Sequence, residues 1–578
     1  MKNNSFNLAL LVIVFFSLSS SLFGQIRNMY DVRTPMRDAV ELSSDIWLPE
    51  KPGKYPAILL RTPYLKTEGL QKHPEFGKFF AEHGYVFIVQ DVRGRGDSDG
   101  EFNFFFQEAK DGYDAIEWFA GQEWCNGKIG TMGLSYLGAV QWQAARENPP
   151  HLVCMASASP AGAYDEFFAF YGGAWKMGWG VMWPNMISGN IFQSNIFSAE
   201  KEHIWNHRPL ISQDSVMGRE MPLFNDWLTY NPGGDYWKQL NPTPADYKNM
   251  DIPVLHMTGW FDMSIVGTMD YWNNMNRFSP AKKDQFLIIG PWDHFQVYLG
   301  GNTKMGNIEL SDESVINTKE LHLAFFDCYL KGLAEKFNYP KAKIYIIGKN
   351  VWREFEEYPP KSIKFKNLYL HSNGNANTLS GDGILSWTKP QIEPNDKFIY
   401  DPQNPAPAEY NYGAECSEFE KRNDVLVYTS EILEESIEIL GDVIVNLYAS
   451  SDALDTDFTA RLLDIYPDGR VINIGPDPSC GVLRARYRKG YTTPELLIPN
   501  KAELFEIKLY GFGYEFIEGH RIRLEISSSS YPNVNPNQNT GNPIATDTEW
   551  KIAHQTIYHD KAKPSHILLP IISNDDQE

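Results

Sequence analysis

The chain has 578 residues, 43% of them hydrophobic, which suffices for two or three domains with sizeable cores and excludes a small stapled or disordered protein. Its 52 Lys and Arg stand against 73 Asp and Glu, a formal charge of −21 that repels phosphate backbones and sets nucleic acid aside as a partner. Aromatics reach 14%, a content suited to large apolar pockets. The five Cys (Cys125, Cys154, Cys328, Cys416, Cys480) lack CxxC or metal-type spacing, so neither a disulfide framework nor a zinc site is expected. A Cys416–Cys480 pair stays open, while Cys154, inside the apolar run Leu152 to Ala156, reads as a buried thiol.

Residues 1–24 read as an export signal: Lys2, an apolar run from Leu8 to Phe16, then small residues up to a cleavage point after Gly24. The run is too short to span a bilayer, and no other stretch approaches the roughly 20 apolar residues a membrane helix needs. The expected location is the periplasm or the medium, with no stable membrane anchor.

From residue 25 to 335 apolar strand candidates alternate with helices, the pattern of a mostly parallel sheet flanked by helices. The strands are Pro56 to Leu60, Tyr85 to Gln90, Lys128 to Met132, Leu152 to Ala158, Pro253 to Met257 and Gln285 to Ile289. The helices are Pro74 to His83, Ala109 to Gly121, Tyr136 to Glu147 and Ile265 to Arg277. Residues 160–250 break the rhythm with no strand signal but six Trp, and are expected to form a helical cap inserted between residues 25–159 and 251–335. From residue 336 to 578 the runs turn alternating and β-branched, at Ala342 to Ile347, Val443 to Ser450, Phe458 to Ile465, Ala502 to Tyr510 and His520 to Ser527. This half is expected to be a β-sandwich of jelly-roll type, with Ser528 to Asn542 as a long polar loop.

The strongest local signal is Gly130-Thr-Met-Gly133-Leu134-Ser135-Tyr136-Leu137-Gly138, where a strand runs into a helix and leaves Ser135 on a tight turn. Such a turn wants small residues two positions either side, and Leu137 departs from this, with Gly138 one step later. Spacing alone leaves both catalysis and a helix cap open. A nucleophilic Ser needs a base and an orienting acid on loops after later strands. Asp262 and His294 occupy those places, each delivered by an apolar strand and a Gly-containing turn. His151, His203, His207, His256 and His322 read as structural, and Asp293 as pointing away from His294. An oxyanion hole would take the Tyr136 N–H and, after the strand Pro56 to Leu60, the phenol of Tyr64, for which plain packing is the alternative.

These segments resemble the CocE/NonD hydrolase family, which includes cocaine esterase, α-amino-acid ester hydrolases, glutaryl cephalosporin acylases and X-Pro dipeptidyl-peptidases. The resemblance is carried by Gly133-Leu-Ser135-Tyr136-Leu-Gly138, Gln90 to Ser98, Arg61-Thr-Pro-Tyr64, Gly259-Trp-Phe-Asp262, Gly290-Pro-Trp-Asp-His294 and Gly481 to Tyr487, and runs from about Ile26 to Leu569. It implies an α/β-hydrolase domain with an inserted helical cap and a C-terminal jelly-roll β-sandwich. It also implies Ser135 as nucleophile, His294 as base, Asp262 as its partner, Tyr64 and Tyr136 as oxyanion donors, and the second Gly of the turn at position 138. The Arg93 to Ser98 turn is read as structural.

Two positions where α-amino-acid ester hydrolases carry carboxylates hold Ser264 and Ile265, which demotes α-amino acyl and dipeptidyl-peptidase activity. Trp175, Trp179 and Asp165 in the cap are the candidate substrate contacts, around a neutral or weakly polar acyl group. The expected activity is cleavage of a small carboxylic ester, and less so an amide, with no metal or organic cofactor; a homo-oligomer stays open. A glycan-binding protein on an inactive scaffold is the alternative from another class. Asp452, Asp455 and Asp457 read as a solvated turn rather than a calcium loop.

Overall fold

Near-continuous apolar runs build the centre of the first sheet, because strands covered by helices on both faces have no solvated side to mark by alternation. The computed structural model describes residues 26–67, 72–407, 413–475 and 481–572; the expected signal segment and Cys480 lie outside them. The ten strands are β1 (Arg27–Pro35), β2 (Glu41–Leu48), β3 (Tyr55–Thr62), β4 (Val86–Asp91), β5 (Cys125–Leu134), β6 (Leu152–Ala158), β7 (Val254–Phe261), β8 (Gln285–Asp293), β9 (Ala342–Ile346) and β10 (Val351–Phe355). They lie in the order β1-β2-β4-β3-β5-β6-β7-β8-β9-β10. Pairing is parallel from β4 to β9 and antiparallel at both edges. Every residue of β4 and β7 is buried. The helices that matter for the site are α1 (His73–Glu82), α2 (Glu108–Ala120), α3 (Tyr136–Arg146), α4 (Met177–Met186) and α5 (Ile265–Phe278).

The strand at Ala342, expected to open the β-sandwich, instead completes the first sheet as β9, with Leu287, Ile288 and Ile289 opposite Ala342, Lys343 and Ile344. Alternation identifies a strand but not its partner, and here the free edge of β8 takes it.

Twelve of the remaining described strands form an almost wholly antiparallel array. Its longest pair is Ile437–Ser451 with Glu503–Phe516, and strict alternation of buried and exposed residues marks Asp396–Tyr400. The two parts meet at Trp260, whose ring fills the space that a side chain at Gly513 of the second part would need, 2.5 Å away, while its Nε1 is held within the first sheet by the Tyr345 carbonyl of β9 at 2.6 Å.

The cap is helical as expected, but Phe170–Tyr171 and Ala174–Trp175 form a two-residue hairpin that the sequence reading omitted. Gly172 and Gly173 turn it, with φ of 50° and 80°, and a Cβ at Gly173 would strike the Tyr487 ring at 2.0 Å. The Arg484 amide donates to Gly172 O across 2.8 Å, so the late segment Val482–Tyr487 anchors the hairpin. The polar stretch 528–542 is largely buried beneath the cap rather than a solvated loop, with the Asn535 amide donating to Trp175 O at 2.9 Å. Asp455 and Asp457 are also buried, not in a solvated turn: Arg486 pairs with the first at 2.7 Å and Arg484 with the second at 2.9 Å. Among the described residues no group of three or more His, Cys, Asp or Glu is arranged to hold a metal.

Candidate active site

At the end of β5 the chain turns sharply into α3, and Ser135 takes φ 66° and ψ −121°, a conformation costly for any side-chain-bearing residue. The turn is held by the Ser135 amide donating to Ala158 O of β6 across 3.0 Å. The same carbonyl lies 2.8 Å from where a Cβ on Gly138 would sit, and a Cβ on Gly133 would meet Leu137 at 2.5 Å. That explains the displaced second glycine: it is position 138 that passes the neighbouring strand, while the Leu137 side chain is fully buried. Tyr136 is the first residue of α3, so its amide has no helical acceptor and is free to serve a ligand. Its phenol donates to Glu108 Oε1 at 2.8 Å, and Arg61 pairs with the other oxygen at 2.7 Å, fixing α2 against the elbow.

Asp262 follows β7 directly and is fully buried, while His294 follows β8 and is partly exposed. The Asp262 Oδ1 carboxylate oxygen accepts from His294 Nδ1 across 2.9 Å and from the Ser264 amide across 2.7 Å. A carboxylate acceptor makes Nδ1 the protonated nitrogen and leaves Nε2 as the basic one. Burial alone would lower the His294 pKa; the Asp262 charge and hydrogen bond outweigh it and hold it above the ordinary 6.5. Asp293 is engaged otherwise, accepting the Phe295 and Gln296 amides at 3.0 and 2.9 Å. His256 is a buried structural residue bound to Gln285 at 3.0 Å, and His322 bonds the Thr318 carbonyl at 2.6 Å.

Tyr64 lies just past β3, and its hydroxyl oxygen accepts from Trp183 Nε1 of α4 across 3.0 Å. Burial pushes the phenol pKa up to about 12, so the hydroxyl stays protonated, and it also interacts with the Ser135 side chain. The Arg93 to Ser98 turn is structural in a specific way. Arg95 is fully buried and donates to Pro63 O, the residue before Tyr64, across 2.7 Å, and to Ile187 O just past α4 across 2.5 Å. One guanidinium thus ties the Tyr64 loop to the cap helix that carries Trp183. Neither role was readable in the sequence, where Trp183 is one cap Trp among six.

Ser135, His294, Tyr64 and Trp183 line a common cavity of about 480 Å³, whose other walls include Phe167, Phe168, Trp179, Met182, Met186, Phe192, Met263 and Phe295. Of the three candidate substrate contacts, Trp179 lines this cavity, and Trp175 and Asp165 are not in its wall. Trp175 belongs to the hairpin ahead of α4 and packs edge-on against Phe170 and Phe224, propping the helix from behind. Asp165 is used within the cap, accepting from Asn241 Nδ2 at 2.6 Å. Ser264 lines the cavity, whereas Ile265 is buried in the core shared with the second domain.

Residues 38–296 match the X-Pro dipeptidyl-peptidase (S15) family, and residues 335–568 match the X-Pro dipeptidyl-peptidase C-terminal non-catalytic domain. The cocaine esterase of Rhodococcus sp. strain MB1 Bresler is 31% identical over 574 residues, covering 94% of this chain and 98% of that one. The chain belongs to the CocE/NonD family of serine hydrolases. The CocE/NonD architecture recurs in an aminopeptidase from a marine-sediment Thaumarchaeota archaeon, at 22% identity and TM-score 0.83, covering 95% of this chain and 96% of that one. It recurs in an α-amino acid ester hydrolase at 23% identity and TM-score 0.81, covering 96% and 99%. At these identities the two structures bear on the fold alone.

Proposed function

We propose that the protein is an exported hydrolase of carboxylic esters with a neutral, largely apolar acyl group, acting through an acyl-enzyme on Ser135. The observation that carries this is the His294–Asp262 hydrogen bond at the mouth of an apolar cavity shared with a strained Ser135. Ser135 Oγ attacks the ester carbonyl and its proton passes to His294 Nε2, while the Tyr136 N–H and the Tyr64 hydroxyl hold the oxyanion. Collapse expels the alcohol, which takes the proton from His294; water then attacks the acyl-enzyme with His294 again as base, releasing the acid and Ser135.

Ester rather than peptide is supported by the relative named cocaine esterase, and by a cavity wall that has Ser264 at one of the two expected carboxylate positions, lacks Asp165, and holds Asp293 with its carboxylate engaged by two backbone amides, where an α-ammonium group would need free carboxylates. The test is intact mass after fluorophosphonate treatment of wild type and Ser135→Ala. One adduct that disappears in the variant is expected; folded wild type that takes none ends the mechanism. Export rests on the composition of residues 1–24, and a mature N-terminus at Gln25 in the secreted or periplasmic fraction is the expected readout.

A further inference from the structure

The turn that follows β4 carries a charge that the acyl-enzyme chemistry leaves unused. Arg95 is fixed within it by its own amide, which donates to Val92 O at 3.0 Å, and by its carbonyl, which accepts from the Ser98 amide at 3.0 Å; its side chain is wholly out of solvent. The guanidinium donates to three backbone carbonyls, Pro63 O, Ile187 O and Gly189 O. The Gly96 amide adds a bond to the same segment after α4, on Asn190 O at 2.6 Å. Nη2 has no acceptor among the described residues, and no described carboxylate forms an ion pair with Arg95. Asp91, the carboxylate that acts on it most, is bound instead to the Lys66 amide at 2.6 Å and to the Lys66 ammonium at 3.5 Å.

Burial lowers the Arg95 pKa only to about 10, with Asp91, Tyr136 and Tyr64 opposing it, so the side chain is a cation at neutral pH. The last two residues are the ones that supply the oxyanion donors. The influence is mutual: burial raises the Tyr64 pKa, and it is opposed by the hydrogen bonds of Trp183 and Ser135 and then by the Arg95 charge. A buried guanidinium without a counter-ion is costly, and neutral carbonyls offset only part of that cost. Negative charge developing nearby offsets more of it, and in the proposed mechanism the acyl oxygen takes up such charge against Tyr64 in each tetrahedral intermediate.

We infer that Arg95 is a positioning residue of the oxyanion hole: it fixes the Pro63–Tyr64 backbone against the segment after α4, and its uncompensated charge strengthens the Tyr64 hydroxyl as a donor. The effect therefore passes through Tyr64 and depends on charge as well as on hydrogen bonds. This rests on the ester-hydrolase reading above.

The experiment measures kcat and KM for 4-nitrophenyl butyrate in wild type, Arg95→Lys and Arg95→Gln, each with Tyr64 intact and with Tyr64→Phe. Lysine keeps the charge, whereas glutamine keeps N–H donors without it. Arg95→Gln should lower kcat tenfold or more with KM changed less than threefold, and Arg95→Lys should keep kcat within threefold of wild type. In the Tyr64→Phe background Arg95→Gln should cost less than twofold. Equal losses with and without the Tyr64 hydroxyl, Lys and Gln variants within twofold of each other, or a loss confined to KM would make Arg95 a tie between loops and nothing more. Each overturns the inference and leaves the hydrolase reading intact. If neither variant folds by circular dichroism, Arg95 serves the fold alone and the inference falls equally. Where the wild type refuses this ester, the maximal rate and half-saturating concentration of fluorophosphonate labelling replace kcat and KM, because phosphonylation develops charge on the corresponding oxygen. A folded wild type that neither hydrolyses the ester nor takes fluorophosphonate overturns the parent reading and this one with it.

Discussion

His294 can act as base only when neutral, and its pKa is held above 6.5 by Asp262 against the pull of burial. The kcat/KM of the wild type should therefore rise with pH through a midpoint above 6.5 and level off beyond it. In Asp262→Asn burial acts unopposed by that charge, so the midpoint should fall below the wild-type value while the plateau drops by about 10⁴-fold. A midpoint that stays put in the variant would assign the acid limb to another group. Trp183 offers a second residue-scale test, because its N–H occupies a lone pair of the Tyr64 oxygen and, in the proposed mechanism, leaves the hydroxyl proton for the reacting carbonyl. Tyr64→Phe should cost about 10²- to 10³-fold in kcat. Trp183→Phe should cost roughly 2- to 10-fold, the worth of one neutral hydrogen bond, and nothing further when added to Tyr64→Phe. Additive losses would make Trp183 a packing residue. Ser135, Asp262, His294 and Tyr64 were legible in the sequence because each sits at the end of an apolar strand, and strand ends share one edge of a parallel sheet. Trp175 and Asp165 were misplaced because an irregular cap has no period from which a side chain's direction can be read. Arg95 gave no signal, since what distinguishes it is the set of partners that folding gives it.

At the scale of elements, the parallel strands could be found from apolar content alone, whereas their neighbours could not: the run at Ala342 has the alternation of the second domain but pairs with β8 of the first. The cap hairpin has no sequence signature because two-residue strands carry no periodicity. Its glycines, though, are decisive for packing. A Gly173→Ala side chain must coexist with φ near 80° and with the Tyr487 ring 2.0 Å away, neither of which the surrounding contacts allow without movement. The variant should lose about 1–3 kcal/mol of stability by denaturant titration, as overpacked sites do. Because the hairpin precedes α4 directly, KM should rise in the folded variant as the Trp179 and Met182 wall shifts. A Gly173→Ala variant with native stability and KM would mean that the hairpin floats free of the second domain.

Across the whole molecule the same contact makes the two domains and the cap interdependent. Arg484 donates through Nε and Nη2 to the two oxygens of Asp457 at 2.9 and 3.0 Å, through Nη2 to Asn535 O at 3.1 Å, and through its amide to Gly172 O. One residue therefore joins a strand of the antiparallel domain, the buried polar stretch 528–542 and the cap hairpin, and it does so with both charges out of water. Such a pair adds little over an apolar substitute but is expensive to halve, because the remaining charge is stranded. Arg484→Met should destabilise the protein by about 3–5 kcal/mol. Arg484→Met combined with Asp457→Leu should recover most of the stability at neutral pH. The double variant would still lack the Asn535 contact that steadies the floor of the cap. Restored melting with a persistently raised KM would then separate what the ion pair does for folding from what it does for the pocket, and native KM in the double variant would mean that the hairpin and α4 hold the wall by themselves.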